Sequence, residues 1–171
     1  MGVITYNGIT FDSPEEREFF WWLEEAQELG LVESFVYQPP PFELLPAVKM
    51  DITVQLKTKT KVVPKTILRP HHYTADYLVY PVGHLPLIGT PIWLDIKGGG
   101  NIYGNEREFS INRKWVWDKY GIYINKVVPR TWFAQFWVPD CARLTERTRK
   151  VRKCYEQYQT KGEWVDAREG A

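Results

Sequence analysis

A mixed α/β fold, with helices packed on a central sheet, follows from three features of the sequence. Residues 13–30 read as a capped amphipathic helix with acidic side chains in its first turn. Two apolar, β-rich runs, YTADYLVY at 73–80 and PIWLDIK at 91–97, lie in mid-chain. A second helical stretch at 109–120 stops at Gly121 and returns at once to β-rich sequence. With 171 residues, the chain is long enough for one domain with a sizeable core.

Taken in order, Ile4–Ile9 predicts a short strand or the entry to a hairpin. Ser13 is a good N-cap, Pro14 suits the first helical position, and Phe19, Trp22, Leu23 and Ala26 form an apolar stripe that Gly30 closes. Residues 34–45 read as a strand interrupted at Pro39–Pro41, because proline donates nothing to a ladder. Residues 51–63 alternate apolar and polar for part of their length, a strand with lysines on one side. Residues 66–80 are another strand region, 81–91 a loop rich in proline and glycine, and Ile92–Lys97 a further strand. After the helix at 109–120, residues 122–128 and 132–138 predict two strands. Residues 140–159 predict a final basic helix, and the last dozen residues a frayed end. The chain thus divides into a core at 1–138 and a basic C-terminal helix and tail at 139–171, either part of the same domain or an arm to a second subunit.

The net charge of +1 says nothing about an acidic partner, but its distribution does. Residues 49–69 carry six basic side chains against one acidic, and residues 143–153 the same. Such stretches are commonly solvated surface, yet two of them on a near-neutral chain suit a phosphate backbone. Arg147 and Lys150 fall at helical spacing with Arg143, on one face of the predicted last helix. Cys141 and Cys154 fit no zinc spacing and predict reduced thiols. There is no apolar leader and no run of 18 apolar residues, which predicts a cytoplasmic protein with no membrane partner.

The stretch PIWLDIKGGG raises a question of chemistry. Alternate residues of a strand share a face, so Asp95 and Lys97 project together while Leu94 and Ile96 point into apolar packing. An ion pair alone accounts for the two charges, but buried pairs contribute little net stability. Asp76 is a second lone carboxylate in an apolar strand run. Two carboxylates on neighbouring strands repel unless a cation lies between them, and a hard cation such as Mg²⁺ takes oxygen ligands and keeps several waters. A lysine beside them orients water or steadies a phosphate oxyanion. That constellation fits metal-assisted phosphodiester hydrolysis.

An acidic residue on the first helix, Asp on one strand and Asp-x-Lys on the next resemble the PD-(D/E)XK nuclease superfamily, over roughly residues 8–126. More narrowly, the blocks GITFDSPEE, FELLP, YTADYLVY, DIKGG and KYGI resemble, in that order, a phage-encoded family of nuclease-like proteins and the related Holliday junction resolvases. A lysine-rich hairpin at about 49–66 and a longer C-terminus depart from the pattern. So does Ala75, which stands where proline often precedes the first aspartate.

The resemblance implies a restriction-endonuclease-like αβββαβ core with a central mixed sheet flanked by helices, carrying the hairpin as an insertion and a C-terminal helix. It implies Asp76, Asp95 and the Ile96 backbone carbonyl as Mg²⁺ ligands, with Mn²⁺ able to substitute. Lys97 is then the catalytic lysine, and Glu16 the helix carboxylate that completes the site. Glu15 is the substitute candidate, because Ser13-Pro14-Glu15-Glu16 is also a capping box that would occupy Glu16.

The expected function is a metal-dependent DNA endonuclease acting on branched or recombination-intermediate DNA, possible as a homodimer, in the host cytoplasm if phage-encoded. Lys57, Lys59, Lys61, His72, Lys114, Arg147 and Lys150 are the expected DNA contacts, each with solvated surface as its rival. His72 is included because it shares strand parity with Asp76. Gly98–Gly100 read either as a flexible turn or as a place where a phosphate backbone comes close. The other functions considered are a non-catalytic DNA-binding or assembly module on the same fold, against which the retained Asp-x-Lys speaks, and a mobile-element or restriction-type nuclease, for which no separate recognition domain is visible.

Overall fold

The computed structural model describes residues 4–98 and 103–170. Strands β1 (Ile4–Tyr6) and β2 (Ile9–Phe11) make a hairpin whose turn residues Asn7 and Gly8 both have positive φ, 49° and 77°. That geometry matches a two-residue turn to the twist of its strands. Helix α1 (Pro14–Glu28) starts on Ser13, whose hydroxyl accepts from the Glu16 amide. It buries Phe19, Trp22, Leu23 and Ala26, the expected stripe.

Strand β3 (Val32–Tyr37) follows, and after the prolines come β4 (Phe42–Leu45), β5 (Val48–Gln55), β6 (Thr60–Leu68), β7 (His71–Tyr73), β8 (Tyr77–Pro81) and β9 (Ile92–Ile96). Helix α2 (Tyr103–Tyr120), β10 (Ile124–Val127), α3 (Pro129–Gln135), α4 (Asp140–Arg143) and α5 (Lys161–Glu169) complete the chain.

The central sheet has the order β10-β9-β8-β3 and is mixed. β3, β8 and β9 pair antiparallel, while β9 and β10 pair parallel across the α2 crossover. β4 pairs with β7, and β5 pairs with β6, as separate two-stranded ribbons. Without these ribbons the chain order is α1, β3, β8, β9, α2, β10.

One face of the sheet presents Tyr77, Val79, Ile92, Leu94 and Ile96 to Phe19, Trp22 and Leu23 of α1 and to Trp132 and Phe133 of α3. The other face, with Trp93, meets Phe109 and Val116 of α2 and Phe42 of β4. Alternation along β9 therefore sends Leu94 and Ile96 to the α1 side, and Asp95 and Lys97 to the α2 side. The β5–β6 hairpin has no buried residue along its length.

Three sequence expectations are corrected. Residues 132–138 are not a strand. Pro129 opens α3, and Trp132, Phe136 and Trp137 pack against Trp22. Residues 140–159 are not one helix. After the four residues of α4 the chain turns back, Leu144 bridges Val151, and Thr145 Oγ1 accepts from the Lys150 amide at 3.1 Å. A threonine side chain that bonds nearby backbone competes with helix. Arg147 and Lys150 therefore stand on an exposed turn and not on a shared helical face.

The chain end is not frayed over its last dozen residues either. Thr160 and Glu163 form a complete capping box that starts α5. Trp164 of α5 packs on Trp137, with ring centroids 4.8 Å apart. The C-terminal segment is also tied to α1 through Glu18, which accepts from Arg152 and from the Tyr155 hydroxyl, each at 2.6 Å. No helix among the described residues is long and apolar enough to cross a membrane.

Trp164 is 8% exposed and belongs to the main apolar cluster. Trp164→Ala is expected to cost about 3 kcal/mol, since emptying an aromatic site leaves a cavity that neighbours fill only in part. Thermal unfolding checks this, and an unchanged Tm would mean that α5 contributes nothing to the core.

Candidate active site

The β8–β9 register places the two carboxylates. The ladder ends where Tyr77 pairs with Leu94, and Asp76 stands just before that end, near enough to Asp95 for the charge of Asp95 to act on it. The Asp76 amide donates to the Leu94 carbonyl at 2.9 Å, which holds Asp76 in place although it lies outside the strand proper. The Ile96 amide donates to Asp76 Oδ2 at 2.5 Å. Asp95 is 4% exposed. Its Oδ2 accepts from the Tyr73 hydroxyl at 2.5 Å. Its Oδ1 is buried, and its close partner among the described residues is the Lys97 ammonium, which meets it as an ion pair. Lys97 also lies over the Phe109 ring, 5.4 Å from the centroid.

These groups share one open cavity of about 310 Å³ between the sheet and α2. His72, Tyr73, Asp76, Asp95 and Lys97 line its sheet side, and Glu108, Phe109 and Asn112 line its helix side. Burial, and after it the charge of Asp95, pushes the Asp76 carboxyl up to about 7, against the opposing pull of the Ile96 amide and Lys97. Burial and the neighbouring Asp95 raise the Tyr73 hydroxyl as well, so it stays a donor.

The helix carboxylates separate. Glu16 is buried, and its two oxygens accept from the Ser13 and Tyr37 hydroxyls, each at 2.7 Å. It is not among the described residues lining the cavity, though its charge adds to the upward push on Asp76. Burial raises Glu16 too, more than its two hydroxyl partners lower it. Glu15 lies against the end of β9, where a Cβ on Gly98 would come within 3.1 Å of Glu15 Oε1. Gly99 and Gly100, the rest of the glycine run, lie outside the described residues.

His72 joins the cavity wall as its parity with Asp76 predicts. Lys114 does not; it faces a second cleft beside Arg113, Trp117 and Tyr123. Lys57 and Lys59 sit in the turn of the β5–β6 hairpin and Lys61 at the start of β6, all exposed. Tyr73, Glu108, Phe109 and Asn112 are cavity residues that the sequence did not single out. Glu108 and Asn112 are four apart and Phe109 lies between them, the spacing of one helix face, and that was the available signal. Asn112 is held by His71, with Nε2 and Oδ1 2.9 Å apart.

The donors fit a hard cation. Asp95 Oδ1 is a buried anionic oxygen whose described partner is the Lys97 ammonium, and it stands beside a second carboxylate that its own charge disturbs. Among the described residues no three acidic, histidine or cysteine side chains converge on one point. A cation here would thus rest on two carboxylates and take its remaining ligands from a carbonyl, waters and substrate oxygens, as Mg²⁺ does. Compared with known proteins, the chain matches no family model, no curated protein and no solved structure.

The raised Asp76 carboxyl fixes a pH dependence. A carboxyl whose folded value, about 7, exceeds its unfolded one holds a proton in the folded state that the unfolded state has released. Stability is then fully present below about pH 4 and falls as pH rises through about 7. Without divalent metal, Asp76→Asn is expected to remove that loss and to be more stable than the wild type above pH 7, by up to about 4 kcal/mol and with a higher Tm. Parallel pH profiles of the two proteins would show that Asp76 ionises as an ordinary surface carboxylate.

Proposed function

We propose that this protein is a Mg²⁺-dependent endodeoxyribonuclease of the PD-(D/E)XK type, with Mn²⁺ as an alternative ion. The observation that carries the reading is the convergence of Asp76, Asp95 and Lys97 in one open cavity, at neighbouring ends of β8 and β9. The element order α1, β3, β8, β9, α2, β10 supports a restriction-endonuclease-like core, with the β5–β6 hairpin as an insertion.

Asp76 and Asp95 would hold the ion, with the Ile96 carbonyl as a further ligand on the same strand end. When bound, the ion supplies Lewis-acid stabilisation of a phosphate oxygen and a more acidic water. Tyr73 and the Ile96 amide each occupy one carboxylate oxygen and so aim the other. Lys97, 22% exposed and anchored on Asp95, orients the attacking water or neutralises charge developing on the phosphate. Glu16 and Glu15 add negative charge at the α1 end of the site. Branched DNA, such as a junction formed in recombination, is the substrate we favour, on the resemblance of the sequence blocks.

Cleavage of four-way junction, flap, single-stranded and linear duplex DNA, with Mg²⁺, with Mn²⁺ and with chelator, tests the reading directly. Asp76→Asn is expected to abolish cleavage while remaining folded. Lys97→Ala is expected to bind DNA normally and to cut about 10²-fold or more slowly. A folded Asp76→Asn with full Mg²⁺-dependent activity overturns the metal assignment, and a wild type that binds every DNA but cuts none points to a non-catalytic binding module.

The projecting hairpin gives a separate expectation. Each lysine that meets a phosphate releases counterions and adds about −0.9 to the slope of log affinity against log salt. Neutralising Lys57, Lys59 and Lys61 together is expected to flatten that slope by up to about three contacts, with the rate at saturating DNA unchanged. An unchanged slope would make the hairpin lysines solvated surface.

A further inference from the structure

The active-site cavity has a neighbour. Arg113, Lys114 and Trp117 of α2, with Tyr123 just before β10, enclose a second cleft of about 370 Å³. Its composition differs sharply from the first: two aromatic side chains, two cations and no acid among the described lining residues. Trp117 is 57% exposed, although tryptophan is normally buried over most of its surface. Arg113 is fixed in place, with its guanidinium over the Phe109 ring at 5.2 Å and over the Tyr123 ring at 5.3 Å, and it donates to the Tyr123 hydroxyl at 3.3 Å.

Phe109 is the shared wall. One ring carries Lys97 of the active-site cavity and Arg113 of the second cleft, which links the two spaces through a single side chain.

An occupant of this cleft must offer an apolar flat face to Trp117 and Tyr123 and negative charge to Arg113 and Lys114. A peptide patch seldom provides both at this size. An unpaired nucleotide does, because its base stacks on aromatic and guanidinium planes while its phosphate meets the cations. Bases within a continuous duplex have their faces covered by neighbouring bases and cannot enter.

We infer that this cleft stacks an unpaired nucleobase of the DNA strand whose phosphate enters the active-site cavity, so that the protein selects DNA with unpaired nucleotides next to the cleavage point. The inference rests on the nuclease reading of that cavity for the position of the strand, but the stacking itself needs no catalysis.

Binding without metal separates the two. Anisotropy of a short labelled oligothymidylate and of a blunt duplex is measured in chelator for the wild type, Trp117→Ala and Trp117→Phe. Trp117→Ala is expected to lose about 5- to 100-fold in affinity for the single strand and little for the duplex, which is the range found when one base–aromatic stack is removed. Trp117→Phe is expected to recover most of the loss. Because Trp117 is exposed, the variant is not expected to disturb folding, and an unchanged Tm checks this.

Equal loss on both DNAs, no loss on either, or no binding of the single strand by the wild type overturns the inference. So does a Trp117-dependent self-association that leaves DNA affinity unchanged, which would make the cleft a contact between copies of this chain. A protein that stacks bases yet fails every cleavage assay would retain the cleft and lose the nuclease reading, whereas active cleavage with an indifferent Trp117 would do the reverse.

Discussion

Asp76 and Asp95 line one cavity where β8 begins and β9 ends, close enough for the charge of Asp95 to act on Asp76, and much of the surrounding structure answers that like-charge pair. Neighbouring carboxylates on adjacent strands are unfavourable even on a wet surface, and here one of them is 4% exposed. Three donors reduce the repulsion: the Ile96 amide on Asp76, the Tyr73 hydroxyl on Asp95, and the Lys97 ammonium paired with Asp95. They do not remove it, since burial and the charge of Asp95 still push the Asp76 carboxyl up to about 7. A site designed only for stability would replace such a pair with apolar residues at little cost. Residual strain of this kind fits a place where charge is held ready for a cation.

The sheet's two faces divide the work. On the α1 side, Leu94 and Ile96 lock β9 into an aromatic-rich core with Phe19, Trp22 and Trp132. On the α2 side the same strand presents its charges to a cavity. The start of α1 reaches the end of that strand as well. The Tyr77 hydroxyl donates to the Glu16 carbonyl at 2.8 Å, and Tyr37 holds the Glu16 side chain. The start of α1 is therefore braced to β8 and β3, and Glu15 lies beside Gly98 at the end of β9.

The residues that were legible in the sequence are those whose meaning depends on local periodicity. A strand period of two was enough to put Asp95 and Lys97 on one face and His72 with Asp76. The Ser13 cap and the stripe from Phe19 to Ala26 defined α1. The rest depended on partners distant in sequence. Tyr73 matters because β7 delivers it to Asp95, and Asn112 because His71 holds it, and neither pairing has a local signal. The aromatic run at 132–138 suits either period when read for composition alone, and Pro129 at a helix start was the overlooked cue. The capping box at Thr160–Glu163 was also present in the sequence and passed over. Residues 140–159 carried helical charge spacing, but Thr145 and the Leu144–Val151 bridge turned the chain instead.

The β5–β6 hairpin follows different physics from everything else in the chain. β4 and β7 clamp its base, with Leu45 opposite His71, and beyond that clamp its strands bond only to each other. Val62 and Met50, 60% and 58% exposed, show how little of it is packed. Such a ribbon opens and closes as its own cooperative unit, below the global unfolding free energy. Its amide protons should exchange long before those of β8 and β9, and a protease should nick its turn while the sheet stays whole. Its length is also free of the register that brings Asp76 near Asp95. The arm can therefore be shortened, lengthened or exchanged for another as a module, without any residue of the central sheet having to move.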